Sequence, residues 1–348
     1  MVKEVKETMR ENKSFYLVSL FVLLLTFATT VIVFLPNQFT AEINDTVGKT
    51  PDTAFNFIIY TDIHHDPAYE VDPWRETLDC IQKVNRKARI AAIWNLGDII
   101  NGYTTTKAEA IAQIREVTEL EDKVSRDFHR IPGNHDNNIQ ATYESNTGYS
   151  MDEVLTVEEL KDVLFNNHTA QEEDHSLLRP TDYYVDFPEL RVVCLSAEGT
   201  TFQQETAKWM GETALDTELP VLILSHIPTR PEWGFHNDVQ GGEIIETELK
   251  SFVERGGTVI CYIHGHDHGD MISAVTDENG EKLWSEVAVA CSRFHVPQSN
   301  GTPGMTFLRR NKDDATMVVF DVVSIDLEKR AILFIRFGAG EDRKIEYR

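Results

Sequence analysis

The chain has 348 residues, 41% of them apolar, enough for one large domain or two small ones with a sizeable core. It carries 57 acidic against 33 basic residues, a formal net charge of −24. A surface that acidic repels phosphate backbones, so no nucleic-acid partner is expected.

In chain order, residues 1–14 hold Lys3, Lys6, Arg10 and Lys13 and form a short N-terminal segment. Phe15–Leu35 then contains no charged residue and is almost wholly Leu, Val, Phe, Ile, Thr and Ala. At about 1.5 Å per residue this run spans roughly 32 Å, matching a bilayer core of about 30 Å. It is too long for the core of a signal peptide, and no small-residue cleavage motif follows it, so residues 15–35 are expected to be an uncleaved transmembrane anchor. The next basic residue is Lys49. The bias of Lys and Arg places the N-terminus in the cytoplasm and the rest of the chain on the extracytoplasmic side. Residues 36–53 are polar, lack periodicity and read as a linker. A soluble domain over residues 54–348 follows.

Within that domain a β-like apolar run repeatedly ends in a metal-competent residue. Phe55–Tyr60 leads to Asp62-x-His64, Ile90–Trp94 to Gly97-Asp98, and Phe128–Ile131 to Gly133-Asn134-His135-Asp136. Val221–Leu224 leads to Ser225-His226, and Val259–Ile263 to Gly265-His266-Asp267-His268. Continuous apolar runs suit fully buried strands. Helices are expected between them at about Trp74–Arg89, Lys107–Val124, Val157–Phe165, Gln203–Leu215 and Ile244–Arg255. This alternation predicts an α/β fold, whose ligands bind at the carboxyl ends of the strands. From Met271 onward the β-like runs Met271–Thr276, Leu283–Ala290, Thr316–Ile325 and Ala331–Phe337 follow one another without helices. They are expected to be antiparallel strands completing a second sheet. The four cysteines form no Cys-x-x-Cys pair, and Cys194, Cys261 and Cys291 lie in β-like runs, so free buried thiols are expected.

Asp, Asn and His without thiolate suit Mn, Fe or Zn ions, and there is too much imidazole for Ca²⁺. Asp62-x-His64 and His266-x-His268 have a spacing of two, which on an extended strand end puts both side chains on one face. Seven ligands exceed the needs of one ion, so two metal ions are inferred, held about 3.5–4 Å apart by a shared carboxylate.

The ordered set Asp62-x-His64, Gly97-Asp98, Gly133-Asn134-His135-Asp136, His226 and Gly265-His266-x-His268 resembles the calcineurin-like metallophosphoesterase family over residues from about 55 to 270. The resemblance implies a β-sandwich of two mixed sheets flanked by helices. It further implies that Asp62, His64 and His268 hold one metal and Asn134, His226 and His266 the other, with Asp98 bridging them. His135 would contact the phosphate and protonate the leaving oxygen, and Asp136 would orient His135. The implied reaction is hydrolysis of a phosphomonoester, phosphodiester or pyrophosphate bond of a small phosphorylated substrate, by in-line attack of a metal-bound hydroxide. A non-catalytic phospho-ligand binding or scaffold protein on the same fold is the alternative. Among the remaining residues, His65 reads as surface or supporting, His264 as structural and His129 as core. His236, His295 and Asn101 are minor candidates for touching substrate, and Arg293 reads as a surface salt-bridge residue ahead of an anion clamp.

Overall fold

The computed structural model describes residues 38–140, 150–165, 181–230, 239–294 and 304–348. The anchor expected over Phe15–Leu35, and the loop residues His236 and His295, lie outside them. Among the described residues no helix is long and apolar enough to cross a membrane.

Two six-stranded sheets face each other over residues 55–346. In the first, β1 (Phe55–Tyr60), β2 (Ala92–Asn95) and β3 (Phe128–Arg130) run parallel. On the other edge of β1 lie β10 (Val319–Asp326), β11 (Ala331–Gly338) and β12 (Arg343–Glu346), each antiparallel to its neighbour. The second sheet has the order β4 (Tyr183–Asp186), β5 (Arg191–Leu195), β6 (Val221–Ser225), β7 (Val259–His264), β9 (Lys282–Ala288), β8 (Met271–Thr276). Its four central strands are parallel and both edge strands antiparallel.

The strand composition explains this arrangement. Phe57 and Ile59 alternate inward to meet Val192, Cys194, Leu222, Leu224, Cys261 and Ile263 of the opposite sheet in one core. The other faces are covered by the crossover helices that parallel pairing demands. On the first sheet these are α2 (Trp74–Lys87) and α3 (Lys107–Val124). On the second, α5 (Gln204–Trp209), the π-helical turn Met210–Ala214 and α6 (Gly242–Glu254) bury Trp209, Met210, Ile245 and Leu249 against Val193, Leu195 and Ile223. Helix α3 starts at a full capping box between Thr106 and Glu109, which satisfies two amides of its first turn. Between β3 and β4 the helix α4 (Val157–Phe165) has the bounds its sequence period predicts. All four cysteines are free and buried, as their apolar neighbours imply.

Two expectations need correction. Part of the expected linker is helix α1 (Gln38–Lys49), because Phe39, Ile43 and Val47 recur every fourth residue among the polar ones; Ile43 and Thr46 are buried. The C-terminal strands do not complete one sheet: β8 and β9 join the second sheet while β10–β12 join the first, beside β1. The open edge of β1 is an apolar strand whose backbone groups need partners, and β10 supplies them through five residue pairs from Phe55↔Ile325 to Ile59↔Asp321. The edge strands β4 and β12 also went unread, since Tyr-Tyr-Val-Asp and Arg-Lys-Ile-Glu are short and half polar.

Candidate metal centre

The five predicted motifs stand just past the carboxyl ends of β1, β2, β3, β6 and β7. Their side chains do not converge by strand alternation. Asp62, His64, Asp98, His266 and His268 all have left-handed backbones, with φ of 53°, 46°, 52°, 66° and 60°. Such conformations cost on the order of 1–3 kcal/mol each in non-glycine residues, and the surroundings must impose them. Here a continued ladder does so. The amides of Asp62, His64 and His65 donate to the carbonyls of Gly97, Asp98 and Ile99 at 2.9, 2.9 and 2.8 Å, and Arg293 donates to the Asp62 carbonyl at 2.9 Å. Gly133 lets the third loop reach the second, because a Cβ there would lie 2.2 Å from both the Asp98 amide and its Oδ1.

Two groups of ligand atoms result. Asp62, His64, Asp98 and His268 place one donor atom each within 4.8 Å of one another, and so do Asp98, His226 and His266. In the first group the Nε2 atoms of His64 and His268 are 2.9 Å apart, and Asp62 Oδ1 lies 3.4 Å from His268 Nε2. In the second group Asn134 Oδ1 is 2.9 Å from both His226 Nε2 and His266 Nδ1. Asp98 belongs to both: its Oδ2 lies 3.4 Å from His64 Nε2 and 3.3 Å from His226 Nε2. Ligand atoms held about 2.1 Å from one ion stand about 3 Å apart when at right angles, so these spacings fit two adjacent cations.

Charge points the same way. Burial works against ionising Asp98, yet His226 and His135 beside it hold its carboxyl well below the usual range. Burial also opposes a proton on His226, but Asp98 draws one on and lifts its pKa to about 9. Burial, then Asp98, push Asp136 up to about 7. The buried Asp98 carboxylate is thus kept charged by the imidazoles around it, as a positive charge beside a carboxylate does.

Backbone carbonyls aim the imidazoles. His226 Nδ1 meets the Leu96 carbonyl at 3.0 Å, which turns Nε2 toward Asp98. His135 Nδ1 meets the Asn101 carbonyl at 2.7 Å, leaving its Nε2 3.9 Å from Asp98 Oδ2. The expected pairing of Asp136 with His135 is therefore replaced. Asp136 Oδ1 accepts from the amides of Ile99 and Ile100 at 2.7 and 3.2 Å, and Oδ2 from Gly133 at 2.7 Å, so its carboxylate ties the second loop to the third. The sequence named Asn101 for its side chain. The structure instead uses its carbonyl for His135, and the side chain donates to Asp66 at 3.2 Å. Carbonyl roles leave no mark in residue identity, and only the closeness of Asn101 to Asp98 hinted at this one.

Among the described residues the other histidines lie outside the two groups. His65 is buried, with Nδ1 2.6 Å from Asp72 and its ring against Trp74. His129 stacks on Trp94 at 4.7 Å, and His264 is buried beside the Gly265 carbonyl. Arg293 lies over the ring of Tyr69 at 4.4 Å.

Comparison with known proteins agrees with this architecture. The chain resembles the structure of a dimetal phosphatase from Danio rerio with a TM-score of 0.57 and 16% identity, over 85% of this chain and 100% of that one. GAP50, the anchor in the inner membrane complex of Plasmodium, gives a TM-score of 0.48 at 11% identity, over 85% of this chain and 90% of that one. No curated protein matches the chain in sequence. The family model described as calcineurin-like phosphoesterase matches residues 55–270, the stretch that carries every ligand above, and the chain belongs to that family.

Proposed function

We propose that this protein hydrolyses a small phosphoester at a centre of two metal ions, Mn, Fe or Zn. Asp62, His64 and His268 would hold one ion, Asn134, His226 and His266 the other, and Asp98 both. The observation that carries this reading is the position of Asp98 Oδ2, 3.4 Å from an imidazole of one group and 3.3 Å from an imidazole of the other. When bound, the ions would supply positive charge to the phosphoryl oxygens and a water acidified toward neutral pH.

The chain's own residues supply the rest. The Asn101 carbonyl accepts from His135 Nδ1 and fixes the ring, so Nε2 faces the space beside Asp98. A protonated His135 can there give its Nε2 proton to the departing oxygen, a contribution of about 10²–10⁴-fold. Burial of Asp62, His64, Asp98 and His226 keeps competing water from the donor atoms. The test is hydrolysis of p-nitrophenyl phosphate and bis-p-nitrophenyl phosphate by the Mn²⁺-loaded protein. His135→Ala is expected to lower kcat at least 100-fold with metal content unchanged. Stoichiometric metal without turnover of either ester would favour the non-catalytic binding reading.

We also propose that the domain is tethered to the outer face of a membrane. The support is the uncharged run Phe15–Leu35 behind Lys3, Lys6, Arg10 and Lys13. A reporter fused after Arg348 that is active only in the cytoplasm would overturn this orientation.

A further inference from the structure

The metal ligands act on the phosphoryl group, and the surface beside His135 meets whatever is attached to it. We propose that Tyr103 and the Arg293–Tyr69 pair form a subsite for a planar ring in the leaving group, so that the substrate class is a phosphoester of an aryl or nucleoside-type alcohol. This rests on the phosphoesterase reading above.

Tyr103 is one of four large apolar side chains exposed among the described residues, at 39%. Its ring centroid stands 6.1 Å from that of His135, edge to face at 67°. The segment that carries it is clamped to the catalytic loop at both ends. On one side His135 Nδ1 meets the Asn101 carbonyl at 2.7 Å. On the other, the Thr104 amide donates to Asn138 Oδ1 at 3.0 Å, and the Asn138 amide to the His135 carbonyl at 3.0 Å. Gly102, with φ of +73°, lies so near that an added Cβ would sit 2.4 Å from the His135 carbonyl oxygen. An exposed aromatic ring is thus held rigidly beside the group that protonates the leaving oxygen.

Arg293 is tied by its backbone to Asp62 of the metal centre. Its amide is bonded to the Asp62 carbonyl at 2.9 Å, and its guanidinium lies 4.4 Å over Tyr69. Among the described residues that guanidinium makes no ion pair and rests on the Tyr69 ring. Burial raises the Tyr69 hydroxyl above its ordinary pKa, with the charge of Arg293 opposing and Tyr103 a smaller influence. A guanidinium with one face on a tyrosine offers the other face to a second ring, as arginine does in stacked sites. A ring attached to the leaving oxygen near His135 Nε2 would meet Tyr103 and this guanidinium. An aliphatic group would gain little from either.

The experiment uses the full chain loaded with Mn²⁺ and compares calorimetric binding of adenosine 5′-monophosphate and ribose 5-phosphate, which differ in whether C1′ carries adenine or a hydroxyl. The nucleotide is expected to bind roughly tenfold more tightly, the low end of what stacking of one base contributes. Tyr103→Ala is expected to bring the two dissociation constants together, Arg293→Gln to narrow the gap, and Tyr103→Phe to preserve it, with metal content checked in each variant. Equal affinities in the parent protein, no binding of either compound, or a gap that survives Tyr103→Ala overturns the subsite. Hydrolysis is followed in parallel. If both compounds bind and neither they nor bis-p-nitrophenyl phosphate is cleaved, the phosphoesterase reading fails while the affinity ratio still decides the subsite.

Discussion

The carboxylate of Asp136 ends on three backbone amides, and that limits what can replace it. Asparagine has one acceptor oxygen, so Asp136→Asn turns an NH₂ group toward at least one buried amide. An orphaned buried donor costs about 1–3 kcal/mol, which urea unfolding would register. Because the Asn101 carbonyl still fixes His135, the variant is expected to keep much of its turnover when folded and metal-loaded. Loss of turnover as complete as in His135→Ala, with stability intact, would return Asp136 to the role of orienting His135.

Glu286 gives a second residue-scale test. It is buried on β9, accepts from the Thr229 amide and hydroxyl at 2.7 Å each, and is pushed up to about 7, chiefly by burial. With the folded pKa above the unfolded value, its contribution to stability is fully present below about pH 4.5 and is lost as pH rises to about 7. The loss is on the order of 3 kcal/mol. Glu286→Gln cannot ionise, so its Tm is expected to gain on the parent's between pH 4.5 and 7. Parallel Tm profiles of parent and variant across that window would show that Glu286 titrates normally.

At the scale of elements, what could be read in advance follows from how much each element says for itself. Helix α3 announces both ends, through its Thr106–Glu109 box and its period, and β1, β6 and β7 are mostly apolar because both faces are covered. Partner choice is different. Nothing local in Val319–Asp326 says that it pairs with β1, a strand more than 250 residues earlier, rather than with β9. A lock of charges that no sequence spacing relates holds β10 to β11 and β12. Arg336 of β11 donates to Asp321 of β10 at 2.9 Å through both Nε and Nη2, and to Asp270, just ahead of β8, at 2.8 and 3.0 Å. Arg343 of β12 reaches the same two carboxylates. The lock thus joins the first sheet to the loop that carries His268. Arg336→Ala leaves two buried carboxylates sharing one guanidinium, and breaking such a network typically costs about 3–5 kcal/mol. A loss of less than about 1 kcal/mol in unfolding free energy, measured by urea, would mean that Arg343 alone suffices.

At the scale of the whole molecule, each ligand group draws on both sheets. Asp62, His64, Asp98 and Asn134 follow strands of the first sheet, and His226, His266 and His268 follow strands of the second. This was legible as a list of ligands, since a metal must be met by side-chain donors and those stand in the sequence. The left-handed turns that aim them were not, because they arise from contacts between loops far apart in the chain. Bound ions would therefore bridge the two layers at the rim of the sandwich, where the shared core of Phe57, Leu222 and Ile263 no longer holds them. Binding to the folded state alone stabilises by about 2.7 kcal/mol per site when free metal is 100 times its dissociation constant. Mn²⁺ is thus expected to raise Tm by several degrees over the chelated protein, and at a net charge of −24 part of any gain could be general neutralisation. Asp98→Ala separates the two effects. It removes the shared ligand and only one of 57 acidic residues, so a bridging role predicts that most of the metal-induced gain vanishes. If the gain persists in Asp98→Ala, or if Mg²⁺ and Mn²⁺ stabilise the parent equally, the cations act on the acidic surface and not between the sheets.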